Sequence, residues 1–371
     1  LYMNDNTIFI FDAHAGMKLS RDIILSDGSL LAPKDTVLTP SLIAKISSLH
    51  VLEINIYNED EDSASQAERN AALARTDADN INYYERVRNS DEFRHFESEY
   101  NVNIDSIKDN LNSFITAENN IDTDTMVSGT MNILSEARNS LQMFDMLHAM
   151  RNKDDITFVH SVNVALIASI IGKWLNFNDE QIKTLTLAGL LHDIGKLLVP
   201  DNILNKPGTL TDNEYEIMKH HVNLGYEQIK DKKLPLPVKE AILLHHEKCD
   251  GSGYPFGLKS PDIPAVAKII TIADVYDAMT ASRIYRAPIC PFEVVKMMYQ
   301  DAFTKFDPIY AIPFLKNVVA SYIGTNVKLS DGRTGKVVLI NDNALDKPIV
   351  QCGNDYVNLS KNSGLSIVSL M

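Results

Sequence analysis

Five histidines and two aspartates recur at the ends of apolar runs in the middle of this chain: His160, His192-Asp193, His221, His245-His246 and Asp274. His192-Asp193 follows Leu190-Leu191, His245-His246 follows Ile242-Leu243-Leu244, and Asp274 follows Ile269-Ile270-Thr271-Ile272-Ala273. An ionisable group set where burial is expected is costly unless it is paired or holds a metal. Imidazole and carboxylate without thiolate favour Fe, Mn or Zn over Cu(I) or an iron–sulfur cluster. Seven such groups exceed the three or four protein ligands of one zinc ion. The economical reading is two metals sharing a bridging carboxylate, an arrangement suited to hydrolysing phosphate esters. A single histidine on an apolar helix is more often a core or surface residue than a ligand. His14, His50, His95, His148 and His220 are read that way.

Helices must position these groups. Val164, Ile167, Ala168 and Ile171 follow His160 at helical spacing, and Leu185 to Leu191 is an apolar turn leading into His192. Prolines between Pro200 and Pro291 punctuate the segments between helices. The expectation is a mainly α chain, with a helical bundle over 126–323 and small β-rich modules at both ends. The first module, 1–58, has strand signals at Thr7–Phe11 and Ile23–Leu25, a turn at Ser26-Asp27-Gly28, a helix at Ser41–Leu49 and a strand at Val51–Tyr57. The last module, 324–371, has strand signals at Asn326–Leu329, Gly335–Ile340, Pro348–Val350 and Tyr356–Leu359. "LSDG" occurs in both modules, at 25–28 and 329–332, a four-residue likeness that is weak evidence for a repeat.

Charge is unevenly spread over the 371 residues, whose net value is −14. Residues 59–124 hold 17 acidic against 6 basic residues and open with Glu59-Asp60-Glu61-Asp62. With few large aliphatics, 59–125 reads as an acidic helical linker, solvated rather than core. No basic footprint for duplex nucleic acid exists at whole-chain level. The longest nearly apolar stretch, Val162 to Gly172, is far short of the ~20 residues a bilayer span needs. Three widely spaced cysteines, Cys249, Cys290 and Cys352, indicate neither a disulfide framework nor a CxxC metal site, so a cytoplasmic location is expected. No signal peptide is read at the start; the chain opens at Leu1 rather than Met, which leaves an upstream segment open.

"HDIGK" at 192–196, "HH" at 245–246 and "DGSGYP" at 250–255 resemble the HD-GYP domain, a branch of the HD metal-dependent phosphohydrolases. The resemblance runs from near Met126 to Tyr322 and leaves out both terminal modules and the acidic stretch. It implies metal ligands at His160, His192, Asp193, His221, His245, His246 and Asp274, with Asp193 bridging. His221 is preferred to His220 because the family pattern is His, three residues, then Gly, which Gly225 completes. Some members hold a third metal through a Glu four residues before the first histidine; Ile156 stands there and cannot ligate, so two divalent metals, Fe or Mn, are expected. Lys196, one turn beyond Asp193, is placed to meet a phosphate oxygen. Gly253, Tyr254 and Pro255 belong to a loop whose glycines allow a sharp turn and whose tyrosine can face a base. Arg283 and Arg286, three apart on one helical face, stand where the family's cations meet substrate phosphates. Asp277, one turn after Asp274, is read as a partner behind a ligand.

The resemblance implies a bacterial signalling enzyme: a phosphodiesterase converting cyclic di-GMP to pGpG and/or GMP by a two-metal, bridging-hydroxide mechanism. Two alternatives stand beside it. One is a non-catalytic cyclic di-GMP receptor, against which the complete ligand and GYP positions argue. The other is an HD phosphohydrolase for another cyclic dinucleotide or a nucleotide. The terminal modules fit sensory, dimerising or purely structural roles, and a homodimer is compatible with them.

Overall fold

The computed structural model describes residues 5–10, 13, 15–24, 29–39, 42–43, 45–46, 51, 53–57, 78–117, 121–150, 156–206, 210–280, 289–362 and 364–371. Contacts divide the chain into two compact units, one made of residues 1–76 with 199–220, the other of 77–198 with 221–371. The Ser26-Asp27-Gly28 turn, the Glu59–Asp62 run, most of the expected helix at Ser41–Leu49, His14, His50, Arg283 and Arg286 lie outside the described residues.

In the smaller unit, β1 (Asp5–Phe9) pairs antiparallel with β4 (Glu53–Tyr57), from Asp5↔Tyr57 to Phe9↔Glu53. β2 (Ile23–Ile24) pairs with β3 (Leu30–Ala32), a strand without a sequence signal because it is three residues long. Ile10, Leu19, Leu38, Ile54 and Ile56 form the buried side.

The larger unit opens with α1 (Ala78–Arg88), α2 (Asp91–Ala117), α3 (Thr123–Glu136) and α4 (Ser140–Ala149). α2 departs from the expected solvated linker. Phe93, Phe96, Tyr100, Ile104, Ile107, Leu111 and Phe114 recur at steps of three and four and are all buried. One apolar face in seven positions is enough to join the core, even where acids dominate the composition around it.

α5 (Ile156–Trp174) and α6 (Asp179–Leu191) form an antiparallel hairpin. Asn176 turns the chain with φ +57°, and Asn178 starts α6 with a capping box closed by Gln181. Gly189 allows the close approach of the pair, since a Cβ there would stand 2.5 Å from Ala165 Cα. The Thr157–Trp174 window is apolar enough for a membrane span by length and composition alone, but 72% of it is buried within the protein. α7 (Asp201–Leu204) and α8 (Asp212–Lys219) belong to the smaller unit; Thr211 and Glu214 make the capping box of α8. α9 (His221–Ile229), α10 (Leu236–Leu244), α11 (Ala265–Thr280), α12 (Pro291–Asp301) and α13 (Pro308–Ser321) complete the helices.

The chain ends in a five-stranded antiparallel sheet of order β8-β7-β6-β5-β9: β5 (Asn326–Leu329), β6 (Thr334–Leu339), β7 (Ile349–Cys352), β8 (Asp355–Asn358) and β9 (Ile367–Leu370). β9 escaped the sequence reading because its partner β5 lies about forty residues away and no local turn announces it. It packs against α1 and α12, within the same unit as the helices. The three cysteines form no disulfide.

A buried polar group sits among α1, α4 and α11. Tyr83 donates to Asp145 Oδ2 at 2.7 Å, and Tyr84 meets His148 Nδ1 at 3.2 Å. Burial pushes the Asp145 carboxyl up to about 7, against the lowering effect of Tyr83. The folded state therefore binds the proton more tightly than the unfolded chain. Stability is fully present below pH ~4, falls as pH rises to ~7 and is flat above, a loss of about 4 kcal/mol at most. Asp145→Asn keeps an acceptor for Tyr83 and carries no charge. It should be more stable than wild type above pH 7 and lose the slope below it. Urea unfolding between pH 4.5 and 8 checks this; a variant less stable at pH 8 would show that the buried charge is accommodated.

Candidate metal centre

Except for Asp274, which lies inside α11, the donor groups stand at or near helix ends within the larger unit. His160 is on the first turns of α5, and His192 caps the C-terminus of α6 with Asp193 next. A 3₁₀ turn, Ile194–Leu198, then brings Lys196 back towards Asp193. His221 opens α9, His245 caps α10 with His246 next, and Asp274 and Asp277 are one turn apart on α11. Helix ends suit this task because the chain can turn there without breaking internal hydrogen bonds.

Two groups of donor atoms, each with members within 4.8 Å of one another, result: Asp193, His221, His245 and His246 in one, His160, His192 and Asp274 in the other. The Asp193 carboxylate reaches both. Its Oδ1 lies 3.2 Å from His221 Nε2 and 3.7 Å from His245 Nε2. Its Oδ2 lies 3.2 Å from His192 Nε2 and 3.6 Å from His160 Nε2. Asp274 Oδ1 is 3.1 Å from His160 Nε2, and its Oδ2 is 4.0 Å from His246 Nδ1.

Three histidines have their tautomer imposed from behind. His192 Nδ1 meets Gly189 O at 2.7 Å, and His245 Nδ1 meets Ala241 O and Ile242 O at 3.1 Å. His160 Nδ1 meets Asp277 Oδ2 at 2.7 Å. Carbonyl and carboxylate oxygens only accept, so each Nδ1 carries a proton, which leaves Nε2 as the ring nitrogen available to a metal.

The interior these atoms face is short of donors. His221 Nε2 and His245 Nε2 approach to 3.5 Å, and both rings are buried. His192 Nε2 and Asp193 Oδ1 are fully buried and have no hydrogen-bond partner among the described residues. An orphaned buried acceptor costs about 1–3 kcal/mol, and such groups call for an ion or a bound molecule. Burial lowers His245 to about 4, and burial with the neighbouring His245 holds His246 well below its usual value, so both rings are neutral donors. Burial acts to raise the Asp193 and Asp274 carboxyls, but their histidine neighbours and, for Asp193, Lys196 outweigh it and hold both well below the usual range. Burial also acts to lower His160, yet Asp274 and Asp277 raise it to about 10: these carboxylates favour positive charge at this point. The donor set of imidazoles and carboxylates fits divalent transition metals.

Glycines set the close approaches. A Cβ on Gly195 would fall well inside contact with His221 O and 2.5 Å from Gly225 N, so the turn carrying Lys196 lies directly on α9. That contact explains why glycines occur at 195 and at the fourth residue after His221. His220, one residue earlier, is exposed, whereas His221 is 1% exposed.

The Asp250–Pro255 loop folds back on the double histidine. A Cβ on Gly253 would stand 2.5 Å from Glu247 Cα, and Tyr254 N donates to His246 O at 3.3 Å. The Tyr254 ring stacks on His246, with centroids 4.6 Å apart and an angle of 23°. Pro255 follows, half-buried. Glu247, 2% exposed, accepts from Phe256 N at 2.7 Å and Leu258 N at 2.9 Å and so clamps the loop. Sequence reading missed Glu247, although an acid directly after His245-His246 in an apolar setting was a visible signal. Lys196 Nζ donates to Asp193 Oδ2 at 2.6 Å and is about a quarter exposed. Among the histidines read as non-ligands, His95 pairs with Glu136 at 3.2 Å and His148 is buried beside Tyr84.

Residues 134–309 match the HD domain family. The chain is 37% identical over 203 residues to cyclic di-GMP phosphodiesterase PA4108 of Pseudomonas aeruginosa, covering 54% of this chain and 49% of that protein. It is 40% identical over 153 residues to 3'3'-cGAMP-specific phosphodiesterase 1 of Vibrio cholerae, covering 41% and 36%. Among solved structures, Bd1817 of Bdellovibrio bacteriovorus, described as a HDG"Y"P protein, superposes with a TM-score of 0.51 at 18% identity. That superposition covers 85% of this chain and 99% of Bd1817 and shows a shared fold. Residues 134–309, which contain all seven candidate donors, thus resemble the HD domain family. It spans about half the length of the curated relatives it matches.

Proposed function

We propose that this chain is a metal-dependent cyclic dinucleotide phosphodiesterase that hydrolyses cyclic di-GMP to pGpG and/or GMP. The observation that carries the reading is the Asp193 carboxylate, whose two oxygens face two separate groups of imidazole nitrogens. Asp193 would bridge two metals, one held further by His221, His245 and His246, the other by His160, His192 and Asp274. Divalent cations bound there supply Lewis acidity towards a phosphate ester and generate the nucleophile from water at neutral pH. Lys196, freed from Asp193 when cations take over that carboxylate, would neutralise a phosphoryl oxygen. Asp277 holds His160 in the ligating tautomer, and Glu247 holds the loop that presents Tyr254. Arg283 and Arg286, outside the described residues, carry the remaining phosphate contacts in this reading.

Relatives named for cyclic di-GMP and for 3'3'-cGAMP both match, which favours one specific second reading, a cyclic GMP-AMP substrate on the same site. Anaerobic purification with metal analysis, followed by turnover of each dinucleotide with Fe and with Mn, separates them. Two metals per chain are expected, since Ile156 stands where a third ligand would be needed. Three fully held metals would overturn the two-metal reading, and tight binding without turnover would establish a receptor instead.

Tyr254 divides recognition from support. Stacking on a base is worth about 1–3 kcal/mol, so Tyr254→Ala should lower kcat/KM for the dinucleotide about tenfold or more beyond its effect on bis(p-nitrophenyl) phosphate. Equal losses on both substrates would mean that the ring serves only to prop His246.

A further inference from the structure

A line of buried hydrogen bonds leads out of the metal centre to the acidic helix α2. Asp277 Oδ2 accepts from His160 Nδ1 at 2.7 Å, and its Oδ1 accepts from Asn163 Nδ2 at 2.8 Å. Asn163 Oδ1 accepts in turn from the Tyr100 hydroxyl at 2.5 Å, which also lies 3.2 Å from Val159 O. Tyr100 is fully buried, and Asn163 and Asp277 are each 4% exposed. The polarity of the line is forced. A carboxylate only accepts, so the Asn163 amide must turn its nitrogen to Asp277 and its oxygen to Tyr100, and the tyrosine must donate. Asn163 and His160 share one face of α5, three residues apart, so Tyr100 reaches the same helix face as the candidate ligand.

We propose that Tyr100 is a positioning residue for the metal centre: through Asn163 and Asp277 it sets the orientation of the His160 imidazole. The inference rests on the reading of His160 as a metal ligand. It makes α2, which lies between the N-terminal residues and the catalytic helices in the sequence, an element whose displacement is felt at one metal. Without the tyrosine hydroxyl, the Asn163 oxygen is left in an apolar setting with no donor. The amide then loses its fixed orientation, Asp277 keeps one partner in place of two, and the ring of His160 is less firmly held. Groups behind a metal ligand typically change affinity by about 10–100-fold when removed.

The test measures metal affinity by chelator competition with Co²⁺ alone, together with the Co²⁺ absorption spectrum, on the full chain. Tyr100→Phe removes one oxygen atom and should weaken one of two Co²⁺ sites by about tenfold, shift its spectrum and leave the other site unchanged. On an Asp277→Asn background the same change should add nothing, because its route passes through Asp277. Leu111→Ala, on the same buried face of α2 but about three turns from Tyr100 and without a polar link, should lower Tm and leave both affinities unchanged. Wild-type affinity and spectrum in Tyr100→Phe would overturn the proposal, as would a matching affinity loss in Leu111→Ala or additive losses in the double variant. Absence of Co²⁺ binding by the wild-type chain would overturn it together with the metal-centre reading. Binding by wild type with no response in Tyr100→Phe would overturn the hydrogen-bonded link alone.

Discussion

Asp193→Ala is expected to abolish turnover and to bring metal content from about two ions per chain to below one. Each oxygen of this carboxylate lies among different imidazoles, Oδ1 towards His221 and His245 and Oδ2 towards His192 and His160. Loss of a group behind a ligand already costs about 10–100-fold in affinity or activity, and a ligand common to both ions must exceed that range. Among the described residues no neighbour can replace it, because Asp274 is occupied with His160 and Asp277 with His160 and Asn163. The variant also leaves Lys196 without its 2.6 Å partner, but that ammonium is a quarter exposed and can reach water. The fold should therefore persist, and circular dichroism with metal analysis distinguishes a lost centre from a lost fold. Asp193→Asn, which retains one ligating oxygen, should keep a single metal and little activity. Wild-type metal content and rate in the alanine variant would refute the bridging role.

Gly195→Ala is expected to have almost as large an effect with no change to any donor atom. The added methyl group would collide with His221 O and stand 2.5 Å from Gly225 N. Both are backbone atoms, so relief requires the Ile194–Leu198 turn and the start of α9 to separate. Overpacking of this kind costs about 1–3 kcal/mol and occasionally more. The chemical cost is larger than the stability cost, because catalytic and ligand geometry tolerates only about 0.5 Å. His221 opens α9 and sits 3.2 Å from Asp193 Oδ1, so the group of His221, His245 and His246 should lose its ion first. Metal analysis should give about one ion per chain, with turnover reduced by more than about a hundredfold. Gly225→Ala is the milder comparison. Its nearest neighbour is the side-chain atom Ile242 Cγ2 at 3.0 Å, which can shift. Equal metal content and rate in Gly195→Ala and wild type would show that the turn and α9 are not rigidly coupled.

Much of the centre was legible because its members announce themselves locally. A charged or imidazole side chain directly after Leu190-Leu191 or Ile242-Leu243-Leu244 conflicts with its surroundings, and that conflict can be read without knowing the fold. The proline spacing marks the segments between helices for the same reason, since a helix end is a matter of a few consecutive residues. α2 was harder to read. Its apolar face is regular, but the surrounding acids dominate any average over composition, and the periodic signal is lost when the stretch is judged by charge.

Residue type and order along the chain thus determined which groups this protein has that could hold metals, and that the middle of the chain is helical. Tertiary structure alone decided what those groups do to one another. That Asp193 divides its oxygens between two sets of imidazoles follows from where α5, α6, α9 and α10 meet. That Nε2 of His160 is the nitrogen offered inward depends on Asp277, 117 residues away, and Asp277 is held by Asn163, itself held by Tyr100. Hydrogen bonds of this kind depend on side-chain direction across packed helices. Direction of that sort has no period and no neighbouring signature in the sequence, because it arises only when distant helix faces are brought to a fixed distance and angle.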